Sequence, residues 1–178
     1  MINEVIKKNG ITYGIILGII SALITATIYA IDLKLFVSGW IGASTFIIFV
    51  VTGIVLLTKT KKEINGLFSF KDAFTTYFIT ILIALLISTT FSVILFNVID
   101  PDAKEVISEH LIKYMAETLQ KFGTPASAIN ETLAKMKETS PFSTLEQLKG
   151  LGFSIALYSI LGLILAAFLK AKLHKNKK

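Results

Sequence analysis

The chain has 178 residues, 53% of them apolar and only 17% charged, whereas a typical soluble domain carries about a quarter charged residues. Its mean hydropathy of +0.71 indicates a membrane protein. The absence of cysteine excludes disulfides, thiolate metal sites and cysteine nucleophiles. The net charge is +6, but the lysines that produce it form no basic face with interleaved aromatics, so we expect no nucleic-acid partner.

Four uncharged stretches are each long enough to cross a bilayer, which takes ~20 helical residues for ~30 Å of hydrocarbon. They are residues 9–31, 35–58, 73–99 and 150–169. Backbone groups in lipid must bond within their own segment, so we predict helices and an all-α fold. The first stretch exceeds the roughly 7 to 15 apolar residues of a signal peptide, and we expect it to be retained. The prediction is one membrane domain, residues 1–178, with four transmembrane helices.

The first span carries small residues at every fourth position, a pattern that permits close approach of two helices. These residues are Gly10, Gly14, Gly18, Ala22, Ala26 and Ala30. The third span carries a comparable stripe that includes Thr80, Ala84 and Ser88. We therefore predict that the first and third spans pack tightly, either within one chain or between copies in a homo-oligomer.

The stretch GLFSFKDAF, residues 66–74, precedes the third span and is typical of a helix start at a membrane boundary. Ser69 and Asp72 are spaced for a capping box. A lysine here can extend to the headgroups while phenylalanines lie in the acyl boundary. We predict a structural membrane-boundary motif, with a lipid-headgroup or partner site as the alternative. Its members are Gly66, Phe68, Ser69, Phe70, Lys71, Asp72 and Phe74.

Residues 100–149 form the one long segment outside the spans, and their pattern predicts two amphipathic helices in a hairpin. Asp100 and Pro101 signal the start of the first helix, and Gly123 signals its end. Apolar surface that a short hairpin cannot bury often marks a partner site. The predicted partner-binding stripe comprises Ile107, Leu111, Met115, Leu119 and Phe122.

Chemically active side chains are scarce in this sequence. The four spans contain no Asp, Glu, Lys, Arg or His, which proton relays and ion-coupled transport generally require at membrane depth. Asp102, Glu105 and Glu109 near His110 could be interpreted as a cation site, but acids in a first helical turn are ordinary partners of the helix dipole. We therefore predict no enzyme, no metal and no cofactor.

The lysines are distributed unevenly over the two sides that the four spans define. Eleven lysines and three carboxylates lie on the side of both termini, against seven lysines and nine carboxylates on the other side. Because cytoplasmic loops carry the basic excess, both termini are predicted to be cytoplasmic and residues 100–149 periplasmic. The basic side is also expected to contact anionic membrane lipids.

Four stretches carry a resemblance to a known family. They are GLFSFKDAF, NVIDPD after the third span, the charged segment ending in SPF, and LGLILAAFLKAK in the last span. Together they resemble the domain-of-unknown-function 4199 family, small predicted inner-membrane proteins of Bacteroidetes, over nearly the whole chain. The resemblance implies a multi-pass protein of the bacterial inner membrane. It also suggests a role beside a membrane glycosyltransferase, near which such proteins are often encoded.

These observations predict a non-enzymatic accessory or scaffold subunit that binds another membrane or envelope protein through the hairpin. The alternative is an oligomeric pore, lined by Thr and Ser, or a carrier for a lipid or small solute.

Overall fold

The computed structural model describes residues 2–64, 67–138 and 140–170, which contain helices and no β-strand. Four helices are long and apolar enough to cross a membrane, so the predicted all-α fold with four membrane helices is confirmed. These are α1 (Glu4–Ile31), α2 (Gly39–Ile64), α3 (Phe70–Ile94) and α6 (Thr144–Leu169). Between the last two lie α4 (Pro101–Lys121) and α5 (Ala126–Glu138).

The helix ends differ from the limits of the uncharged stretches because local caps determine them. Asn3 accepts a hydrogen bond from the backbone N–H of Val5 at 2.8 Å, so α1 begins well before the first apolar run. Asp32 caps a short 3-10 helix, Leu33–Val37, by accepting from the N–H of Lys34, and this helix delays the start of α2 to Gly39. The Asn3 cap thus allows α1 to include the charged residues Glu4, Lys7 and Lys8.

The helix pair α1 and α3 has the most extensive contact in the bundle. Three glycines of α1 contact three isoleucines of α3, and both sets are spaced four residues apart. A Cβ atom at Gly10 would lie 2.9 Å from Cγ2 of Ile79, and one at Gly14 would lie 2.8 Å from Cβ of Ile83. Gly18 meets Ile87 in the same way. The absence of side chains at these positions allows the two backbones to approach.

Tyr77 of α3 is wedged between glycines of the two other long helices. A Cβ atom at Gly53 of α2 would lie 2.6 Å from its Cε2, and one at Gly162 of α6 would lie 2.5 Å from its Cδ1. The tyrosine hydroxyl is buried and has no hydrogen-bond partner among the described residues. The ring thereby fills the centre of a core that joins α2, α3 and α6.

The hairpin α4–α5 is joined to the bundle by a five-residue π-helical turn, Leu95–Ile99. The N–H of Asp100 closes this turn by donating to the carbonyl of Leu95 at 2.8 Å, and the Asp100 side chain then caps α4. At the far end of α4, Gly123 adopts a positive φ of 71°, which the reversal of the chain into α5 requires.

Candidate functional site

A polar crevice of about 380 Å³ lies between all four long helices. Nine of its lining residues carry polar side chains, and none of these is charged at neutral pH. They are Ser21, Thr25, Thr45, Ser88, Thr89, Ser92, Gln147, Ser154 and Tyr158. We call this recess the hydroxyl crevice. Its walls can offer hydrogen bonds from several directions but no ionic contact.

The hydroxyl crevice lies in the half of the bundle nearer to the hairpin. Its deepest positions include Ser21, ten residues from the end of α1, and Phe49, ten residues from the start of α2. At 1.5 Å per residue, these positions place its floor at a depth of ~15 Å along the helices. The rings of Phe49 and Tyr158 stack at 4.5 Å between centroids and form part of that floor. The crevice thus reaches about half of a ~30 Å hydrocarbon layer.

Several crevice hydroxyls are held by their own helices. Ser21 donates to the carbonyl of Leu17 at 2.9 Å, Thr25 donates to Ser21 at 3.1 Å, and Ser88 donates to Leu85 at 3.2 Å. Such bonds use the hydroxyl hydrogen and leave oxygen lone pairs free to accept. These hydroxyls are therefore oriented acceptors on an otherwise apolar wall.

A second recess of about 380 Å³ adjoins the hydroxyl crevice and is almost entirely apolar. The two recesses share three wall residues, Ile24, Ile28 and Ile41. We call the second recess the apolar groove. It lies between the outer part of α1 and the start of α2, and three of its residues, Leu23, Ile31 and Ile20, are exposed on the surface of the bundle.

An aromatic cluster fastens the hairpin to the bundle beside the hydroxyl crevice. Phe96 of the π-helical turn makes edge contacts with Tyr29, Phe36 and Phe142 at centroid distances of 4.9 to 6.3 Å. Ile107 of α4 is fully buried in the same cluster. We call this group the aromatic anchor. Because Phe36 also lines the crevice, the anchor and the crevice share a wall.

Polar contacts reinforce the aromatic anchor. The hydroxyl of Tyr29 donates to Oδ2 of Asp100 at 2.7 Å, and Oδ1 of Asp100 accepts from the N–H of Ala103 at 3.1 Å. The hydrogen bond from Tyr29, and to a smaller extent the one from the Ala103 amide, hold the pKa of Asp100 below its ordinary value, since both favour the charged carboxylate. Asn97 bridges the π-helical turn to the carbonyl of Phe142 at 3.1 Å. The base of the hairpin is therefore fixed to the membrane helices.

The predicted packing residues occupy different environments in the structure. Gly10, Gly14, Gly18, Thr80 and Ala84 are buried, whereas Ala22, Ala26 and Ser88 are half-buried and Ala30 is exposed. Thr80 donates to the carbonyl of Gly10 at 3.0 Å across the α1–α3 contact. Ser88 instead lines the hydroxyl crevice. The tight glycine contacts thus lie in the first half of α1, and its second half contributes Ser21 and Thr25 to the crevice.

The predicted membrane-boundary motif also divides into distinct environments. Ser69 and Asp72 form both bonds of the capping box at 3.1 Å. Phe68 is fully buried in the core beside Leu57 and Ala73, and so the expectation that it lies in the acyl boundary is wrong.

The remaining motif residues lie nearer the surface. Phe70 is exposed and its ring lies 6.0 Å from the Lys170 ammonium, Lys71 is exposed, and Phe74 stacks on Phe78 at 5.8 Å. Gly66 lies outside the described residues.

The predicted partner-binding stripe is not one continuous free surface. Ile107 is 0% exposed because it belongs to the aromatic anchor, so the prediction that it binds a partner is wrong. Leu111, Met115 and Leu119 are half-buried, and Phe122 is 83% exposed. The stripe is therefore fully buried at its base, half-buried along its middle and exposed only at Phe122, directly after α4.

Within the described residues, no group of three or more His, Cys, Asp or Glu side chains is placed to hold a metal ion. The sequence alone did not predict the hydroxyl crevice, because its polar residues lie on four separate helices that only the tertiary packing brings together. The one available signal was that each of these helices carries hydroxyl residues within its outer half.

The chain belongs to the family described as Protein of unknown function (DUF4199), whose model matches residues 12–171. No curated protein and no solved structure gives a significant match.

Proposed function

We propose that this DUF4199 family member is a non-enzymatic accessory or scaffold subunit that binds another envelope protein through the tip of its hairpin. One observation carries the proposal: Phe122 is 83% exposed and Tyr114 46% exposed, and both lie outside the four membrane helices. Aromatic side chains are enriched in protein interfaces, where they supply much of the binding free energy.

The anchored base of the hairpin supports this proposal. Burial of Ile107 and the bond between Tyr29 and Asp100 restrain α4 at the membrane surface. A restrained helix loses less conformational freedom on binding than a free one does. The tip, defined here as Tyr114, Leu119 and Phe122, would thus be presented to a partner in a fixed orientation.

We further propose that the protein resides in the bacterial inner membrane with both termini cytoplasmic and the hairpin periplasmic. The lysine distribution supports this orientation. A cysteine introduced at Ser127, which is exposed in α5, should react with a membrane-impermeant thiol reagent in intact spheroplasts. A cysteine at Asn176 should react only after lysis. Reversed labelling would contradict the orientation.

The partner can be identified by placing a photocrosslinking amino acid at Phe122 in the full chain and irradiating intact cells. We expect one discrete adduct with a second envelope protein, and the family resemblance makes a membrane glycosyltransferase system one candidate. Mass spectrometry of the adduct identifies the partner. An adduct of twice the chain mass would instead show that the tip binds a second copy of this protein.

Matched variants test whether the aromatic tip carries the binding. Tyr114→Ser with Phe122→Ser should prevent copurification of the crosslinked protein, because aromatic residues that act as interface hot spots contribute about 2 kcal/mol or more each. Lys113→Ser with Lys121→Ser changes neighbouring exposed positions and should retain the partner. Adducts with lipid alone, or unchanged copurification by the aromatic variant, would contradict the proposal.

The structure offers a specific reason to keep the carrier alternative. Thr80 is buried in the α1–α3 contact and bonds to Gly10, which makes it unsuitable as a lining residue of an oligomeric pore. Ser88 lines the hydroxyl crevice, which is large enough for a small ligand. A binding or carrier role for a lipid or small solute is therefore favoured over a pore.

A further inference from the structure

We infer that the hydroxyl crevice and the apolar groove together bind one uncharged amphiphile, with its hydroxyl-bearing head in the crevice and its acyl chain in the groove. The juxtaposition of the two recesses, which share Ile24, Ile28 and Ile41, carries this inference. It is independent of the proposed role of the hairpin tip.

The polar groups that line the crevice determine which head group of an amphiphile can bind there. Among the described residues, its polar lining consists of hydroxyl and amide groups, with no lysine to pair with a phosphate and no carboxylate to pair with an amine. Placing an unpaired charge at this depth is costly, whereas neutral hydroxyls find acceptors already oriented by their own helices. Ser21, Thr25 and Ser88 are three such acceptors.

The apolar groove accommodates the acyl tail of the amphiphile. Apart from Thr27, the groove is lined by aliphatic side chains, and Leu23 and Ile31 are exposed on the lipid-facing surface. An acyl chain that follows this wall would leave the crevice past Ile24 and Ile28 without exposing its head to hydrocarbon. A water-soluble polyol would satisfy the crevice but would leave the groove empty.

The volumes are consistent with one ligand rather than with bulk lipid. Each recess measures about 380 Å³, and ligand sites of proteins are typically ~300–1,000 Å³. The walls of the crevice come from four helices, so a head bound there would be enclosed on several sides. Lipid at the outer faces of the bundle meets one or two helices only.

The probe for the test is a diacylglycerol with a photoactivatable diazirine on one acyl chain, added to phosphatidylethanolamine vesicles that contain the full chain. Two matched probes replace its free hydroxyl, one with phosphate and one with acetate. We expect the hydroxyl probe to label residues 20–41 selectively, and unlabelled diacylglycerol to compete. The phosphate and acetate probes should label the same residues about tenfold less, a difference of roughly 1.4 kcal/mol.

The test variant removes one crevice hydroxyl from each of α1, α2 and α3. Its substitutions are Thr25→Val, Thr45→Val and Thr89→Val. The control removes one exposed hydroxyl from each of the same helices, through Thr12→Val, Thr58→Val and Thr90→Val. Labelling by the hydroxyl probe should fall by about tenfold in the test variant only, as expected for the loss of up to three hydrogen bonds in a membrane.

Thermal unfolding of both variants shows whether the bundle is intact. If the test variant does not fold, the comparison of the three probes on the unsubstituted chain decides the question. Equal labelling by the three probes, labelling spread evenly over the exposed faces, or equal loss of labelling in the two variants would overturn the inference.

Discussion

The glycine stripe of α1 permits a quantitative test of the closest helix contact, through Gly14→Ala. The new Cβ would lie 2.8 Å from Cβ of Ile83 and 3.0 Å from the carbonyl oxygen of Thr80. Ordinary carbon contacts are ~3.5–4.0 Å, so the helices must separate by roughly 1 Å. Overpacking of this kind costs about 1–3 kcal/mol. Alanine recovers up to ~1 kcal/mol of helix propensity, leaving a net destabilisation of about 0–2 kcal/mol.

The matched control is Gly42→Ala in α2, where a Cβ would meet no atom within 4 Å. This control gains helix propensity without a clash. The two variants should therefore differ by about 1–3 kcal/mol, or roughly 2–12 °C in unfolding temperature for a chain of this size. Circular dichroism during heating in a mild detergent measures both.

A double-mutant cycle with Ile83→Ala identifies the cause of the effect. If Gly14→Ala acts by pushing against Ile83, removing that side chain should relieve most of its cost, giving a coupling of about 1 kcal/mol or more. Equal unfolding temperatures for Gly14→Ala and Gly42→Ala, together with no coupling to Ile83, would refute the close packing of α1 on α3 at this point.

Two further predictions follow from the structure. Tyr29→Phe should lower the unfolding temperature at neutral pH and should raise the pKa of Asp100. Because the pKa of Asp100 is depressed in the folded state, the stabilisation by its hydrogen bond to Tyr29 is present above pH ~3.9 and is lost as the pH falls through the folded pKa. The difference in unfolding temperature between the variant and the parent should therefore disappear in acid. A constant gap at all pH values would contradict this. Gly162→Ala should be less stable than Gly152→Ala on the same helix by about 1–3 kcal/mol, because the Cβ at 162 would lie 2.5 Å from the Tyr77 ring whereas a Cβ at 152 meets nothing within 4 Å. Equal stability of these two glycine variants would show that the Tyr77 ring has room to move.

Sequence reasoning predicted features that depend on neighbours along the chain. The capping box of Ser69 and Asp72 forms because both partners lie within one helical turn. Asp100, Pro101 and Gly123 mark the ends of α4 for the same reason. Sequence reasoning also failed at particular residues: Phe68 and Ile107 were assigned to outer surfaces, and both are fully buried.

By itself, the sequence determined the four membrane helices and the caps, because the length of an uncharged run and the spacing of a cap are local properties. The small-residue stripes of α1 and α3 indicated the packed faces of those two helices, whereas only the tertiary structure decided which faces of α2 and α6 point inward. In a soluble helix the apolar stripe reveals that face, but in lipid both the outer and the inner face are apolar, so the periodicity carries little information. The wedge of Tyr77 between Gly53 and Gly162, and the convergence of hydroxyls from four helices on one crevice, therefore appeared only when the helices were packed together.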